Sequence, residues 1–145
     1  MPDALFTAKQ DIRARHDFAL LLLRLILGVL ILLHGVAKIA GGADAILGAV
    51  ANTGLPAAFG YLVYIGEVLA PILVIIGLWT RAAAVIIAIN MVVAILLVHG
   101  SQVLSLAKTG GWALELQGLY LIVAICVALL GAGRYSLGGR FGPWN

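Results

Sequence analysis

The stretch that decides the fold is FALLLLRLILGVLILLHGVAKIA, residues Phe18–Ala40. At about 1.5 Å of rise per helical residue it is long enough for a hydrocarbon core of roughly 30 Å. It also exceeds the ~7–15-residue apolar core of a cleaved secretory signal, and it carries Arg24, His34 and Lys38. It therefore reads as a retained transmembrane helix. The rest of the chain has the same character: 63% of its 145 residues are hydrophobic and only 10% charged. A soluble domain averages about 45–50% apolar and about 25% charged residues.

Working outward, residues 1–17 are polar and of mixed charge, and read as a short N-terminal arm. Further apolar runs follow at 57–79, 82–99 and 112–132. Gly41-Gly42 ends the first span, and Gly54-Leu55-Pro56 precedes the second. Residues 43–51 between them suit a short interfacial helix. Thr80-Arg81 reads as a minimal turn between spans two and three, and residues 100–111 as a polar, glycine-rich loop. The expected fold is all-α, an integral membrane four-helix bundle over residues 18–138, with 139–145 as a tail. Basic residues set its orientation. Lys9, Arg13, Arg15, Arg81, Arg134 and Arg140 fall on one side, and only Lys38 and Lys108 on the other. The positive-inside rule puts both termini in the cytoplasm.

Composition also excludes. The net charge of +3 comes without a basic run, so nucleic-acid binding is not expected. The single cysteine, Cys126, cannot form an intrachain dithiol pair, and reads as helix packing. No HExxH, Cys/His cluster, P-loop or GxGxxG is present, and no metal site is expected.

The informative residues are those that cost most to insert. An ionisable group in the bilayer centre costs at least ~2.5–3.5 kcal/mol on insertion scales. Arg24, His34, Lys38, Glu67, Asn90, His99, Glu115 and Gln117 lie in or at the ends of the apolar runs. With the N-terminus inside, Lys38, His99 and Glu115 fall near the outer surface, and His34 and Gln117 roughly 6–9 Å below it. Glu67 and Asn90 fall near the midplane and Arg24 nearer the cytoplasm. Most of the set thus predicts a polar cavity in the outer half. His34 and Lys38, four residues apart, share one helix face. Asn90 and His99 lie about 180° apart around their helix, which favours Asn90 inward and His99 at a rim or a second contact.

Glu67 is the leading candidate. Pro71 follows four residues later and has no N–H to satisfy the Glu67 carbonyl. Free backbone at that depth is tolerated only where protein, water or a ligand satisfies it. Two readings stand beside each other: a functional carboxylate, or a structural pair with Arg24 or His34. Arg24 could alternatively snorkel to the interface. His34 can carry protons near neutral pH, or simply bond across the bundle. Glu115 with Lys38 reads as an interfacial ion pair. Tyr61, Tyr64, Trp79, Trp112 and Tyr120 suit aromatic belts or a ring-shaped ligand. Haem held between His34 and His99 is disfavoured by a depth difference of roughly 8 Å.

Several segments resemble one family. Leu23-Arg24-Leu25 through Gly28 to His34-Gly35-Val36-Ala37-Lys38 is similar to the first helix of the DoxX family. Gly66-Glu67 leading to Gly77-Leu78-Trp79-Thr80-Arg81, then Ile89-Asn90-Met91 and Val98-His99, and finally Gly133-Arg134-Tyr135-Ser136-Leu137, continue it. The resemblance covers about residues 18–138. Where many members carry Gly-Gly shortly after the glutamate, this chain has Ala70-Pro71. The resemblance implies a small bacterial inner-membrane protein associated with a quinol oxidase, a thiosulfate:quinone oxidoreductase or a redox-stress complex. On that reading Glu67 and His34 act at a quinone or move protons, and Arg24, Lys38, Asn90, Glu115 and Gln117 help bind it. The expected partners are the lipid bilayer and an oxidoreductase subunit or a second copy of the chain. Two other functions fit the residues: a non-catalytic anchor whose polar groups only hold the bundle together, and a small transporter.

Overall fold

The computed structural model describes residues 2–145, with side chains from Lys9 onward. Among them there are helices and no named strand. Helix α1 spans Pro2–Gly41 and α2 spans Asp44–Ala51. A 3₁₀ stretch, Ala57–Leu62, leads through a π turn, Ile65–Leu69, into α3, Ala70–Ile76. Helix α4 spans Thr80–Val98, and α5 spans Glu115–Leu130. Residues 2–17 thus continue the first helix, so the N-terminal arm is an extension of α1.

Three segments are long and apolar enough to cross a membrane: Lys9–Gly41, Ala57–Ile76 and Thr80–Val98. Helix α5 is apolar but shorter, at 16 residues. One core joins these segments: Leu27 and Ile31 from α1, Val74 from α3, Ile87 and Met91 from α4, Val127 from α5. The outward faces are apolar too. Leu22, Ile26, Val29, Leu33 and Val36 are exposed along α1, as are Val85, Ile89 and Leu96 along α4. Water would penalise that surface, whereas hydrocarbon would not.

Proline and glycine shape the second span. The i→i+5 bonding of the π turn (Ala70 N–H to the Ile65 carbonyl) immediately precedes Pro71, a common way of absorbing an irregularity within a helix. Gly77 then ends α3 in the left-handed region, at φ 74°, a conformation that glycine enters without a Cβ penalty. The turn to α4 therefore occupies Gly77–Trp79. Thr80-Arg81, expected to form that turn, begins α4 instead.

The last four carbonyls of α3 all find donors, as buried helix ends require. Leu73 accepts from the N–H groups of Gly77 and Leu78, and Ile76 accepts from that of Leu137. Val74 and Ile75 accept from Nε and Nη2 of Arg24, at 2.9 and 3.0 Å. The C-terminal segment packs into the same end of the molecule. Asn145 is buried, accepts from the Thr80 N–H and hydroxyl, and donates to the Gly77 carbonyl. Arg140 pairs with Asp17 at 2.5 Å. Residues 139–145 are thus a folded part of the structure.

Candidate functional site

Glu67 sits within the π turn and is 5% exposed. Its backbone carbonyl lies directly against Gly35 of α1, where any Cβ would collide with it. This close approach brings Glu67 level with Gly35, one helical turn from Lys38. The 3₁₀ stretch that leads to it packs against α2, with Leu47 seated on Gly60.

The outcome is an ion pair that differs from both pairings expected. Lys38 Nζ donates to Glu67 Oε2 at 2.5 Å. Lys38 does not reach Glu115, which is exposed on α5 and lines neither cavity of the site. Glu67 pairs with neither Arg24 nor His34. The physical reason is the Gly35 contact, which lets α1 and the π turn approach within the reach of a lysine side chain. Asn90 Nδ2 donates to Glu67 Oε1 at 3.4 Å, and the Tyr64 hydroxyl donates to the Lys38 carbonyl at 3.2 Å.

A cavity of about 270 Å³ opens beside this pair. His34, Lys38, Glu67, His99, Gln117 and Tyr120 all line it. The i, i+4 pair His34 and Lys38 therefore does share a cavity-facing side of α1. His34 meets the Tyr120 ring edge-on, with centroids 6.0 Å apart. Gln117 Nε2 lies 3.4 Å from His99 Nε2, and His99 Nδ1 lies 3.3 Å from Gln102 Oε1. Among the described residues no three histidines, cysteines or carboxylates cluster as metal ligands.

Arg24 belongs elsewhere. It is 1% exposed and lines neither cavity. Its guanidinium donates to the carbonyls of Val74 and Ile75, and through Nη1 to those of Ala132 and Tyr135 at 2.5 and 2.9 Å. It therefore joins the C-terminal end of α3, where the helix dipole favours a cation, to the segment that follows α5.

Tyr120, which the sequence assigns to an aromatic belt or a ring-shaped ligand, and His99, which it assigns to a rim or a second contact, both line the pocket. Gln117 and Tyr120 are three residues apart and so share a helix face, a signal the sequence does contain. Gly35 carried no such signal, because its role exists only in the contact between two helices.

No curated protein and no solved structure matches the chain. The DoxX family model matches residues 19–100, more than half of the sequence, from the start of the first span through α4. Helix α5 and the C-terminal segment lie beyond that match. With the outward apolar faces and three membrane-length helices already described, the match makes this chain a small membrane protein of the DoxX family.

Proposed function

We propose that this protein is a membrane subunit of a quinone-linked oxidoreductase, of the quinol oxidase, thiosulfate:quinone or redox-stress type. In this reading α5, with the residues flanking it, crosses the bilayer as a fourth span. The protein resides in the bacterial inner membrane with both termini in the cytoplasm, in keeping with its basic residues.

The observation that carries the proposal is the company kept by Glu67. A buried carboxylate opens into a cavity with an ammonium, two imidazoles, an amide and a phenol, inside an otherwise apolar bundle. Buried charges persist where pairing and function offset their cost. The set suits a ring bearing carbonyl or hydroxyl oxygens. Lys38 and Gln117 can donate to such oxygens, and Glu67 and His34 can accept or deliver the protons that accompany quinone reduction and quinol oxidation. Electrons would pass to or from the partner enzyme, since no redox group is built from these side chains.

A second reading rests on the Lys38–Glu67 bond itself. It ties α1 to the π turn, and in a non-catalytic anchor that is all it would do. The test is quinone-dependent electron transfer in native membranes carrying Glu67→Gln or His34→Ala. Turnover should fall about a hundredfold or more, the lower end of the range for losing an acid–base group, with the complex assembled in normal amount. Normal turnover with altered assembly would instead establish the anchor.

A further inference from the structure

The larger cavity is the apolar one. A cleft of about 440 Å³ runs between α2, the stretch entering the π turn, and α4. That volume lies within the roughly 300–1,000 Å³ of typical small-molecule sites. Its walls include Ile46, Val50, Phe59, Ile65, Ile89 and Val93. Phe59, Ile65, Ile89 and Val93 are exposed on the outer flank of the molecule. With Ala57–Ile76 and Thr80–Val98 read as spans, that flank meets lipid. The cleft therefore opens sideways into hydrocarbon.

Its inner end is polar. Asn90 and Glu67 close the cleft, and Glu67 also lines the polar pocket described above. Asn90 lines only the cleft and Lys38 only the pocket. The two oxygens of Glu67 divide accordingly: Oε1 accepts from Asn90 and Oε2 from Lys38. One carboxylate thus joins an apolar channel from the bilayer to a pocket of donors and acceptors. A small polar substrate would have no use for the first half of this arrangement. An amphiphile with a compact oxygen-bearing head and a long hydrocarbon chain uses both halves.

We propose that the cleft between α2 and α4 receives the isoprenoid chain of the quinone from the bilayer, so that the ring stops at Glu67 and Asn90. The inference rests on the quinone reading and adds the route of entry and the recognition of the chain. A phospholipid offers the same general chemistry, a polar head on a long chain, so the test separates the two sources.

The intact protein is placed in lipid nanodiscs and titrated with a tailless benzoquinone, a short-prenyl homologue and a long-prenyl homologue. Affinities are expressed per concentration within the bilayer, so that partitioning cancels. The long-prenyl quinone is expected to bind about tenfold or more tightly than the tailless one, from the dispersion contacts its chain makes with the cleft walls, since transfer from lipid to an apolar cleft brings no hydrophobic gain. Ala49→Phe and Val93→Trp fill the cleft from opposite walls without touching the polar pocket. Each should reduce the chain's advantage to about twofold or less by removing its contacts with the cleft walls, and leave tailless binding unchanged. Val93 is exposed, so its enlargement leaves the buried core intact even if the change at Ala49 does not. Equal binding of tailless and prenylated quinones by the wild type would overturn the inference while leaving the quinone reading standing. A cleft holding phospholipid that prenylated quinone cannot displace would overturn it as well. Binding of no quinone at all would overturn both.

Discussion

Arg24→Ala is expected to yield almost no folded protein. The wild-type guanidinium supplies two carbonyls at the end of α3 and two in the segment after α5, and its removal strands those of Val74 and Ala132 in buried surroundings and those of Ile75 and Tyr135 in part-buried ones. It also removes the cation that the C-terminal dipole of α3 favours. A net loss of about 3–5 kcal/mol follows from breaking a buried charged network of this kind. That is a large part of a typical folding stability of about 5–15 kcal/mol. Arg24→Lys keeps the charge but not the planar fork, and one ammonium cannot span both segments. It should recover only part of the loss. The yield of monodisperse protein in mild detergent and its thermal midpoint provide the check. A lysine variant with wild-type yield and midpoint would show that the fork is dispensable.

The second large effect concerns Lys38 and Glu67. Removing the lysine alone, as Lys38→Met, leaves a buried carboxylate with only the long Asn90 bond. Breaking a fully buried pair costs about 3–5 kcal/mol, but the Lys38 side chain is 25% exposed. Water discounts the expected loss to about 1–3 kcal/mol. The double variant Lys38→Met with Glu67→Gln removes both charges and should be more stable than Lys38→Met alone. A double-mutant cycle on thermal unfolding measures this coupling. Additive single effects would mean that the two charges do not sense one another.

Both predictions depend on contacts between elements distant in sequence, and that is where the sequence was least legible. Apolar run length is a local property, so Phe18–Ala40 and the third run could be read directly. So could the shared face of His34 and Lys38, because four residues nearly complete a helical turn. Pro71 pointed to irregular backbone at Glu67, and a π turn lies there. The partner of Lys38 was not legible. It depends on the approach of α1 to the π turn at Gly35, and a lone glycine does not announce what it packs against. Arg24 was misleading for a related reason. An arginine in an apolar run invites a search for a carboxylate, yet backbone carbonyls can satisfy it fully. Residues 139–145 read only as a tail. The buried role of Asn145 depends on Thr80 and Gly77, which lie far earlier in the chain.

If the Glu67 pocket holds a quinone, native mass spectrometry of protein released gently from its own membranes will show it. A quinone mass should ride on the wild-type chain and be greatly diminished on Glu67→Gln. A wild-type chain that emerges bare, or with only lipids or a protein partner attached, would contradict the quinone reading and leave the polar cluster as a tie between helices.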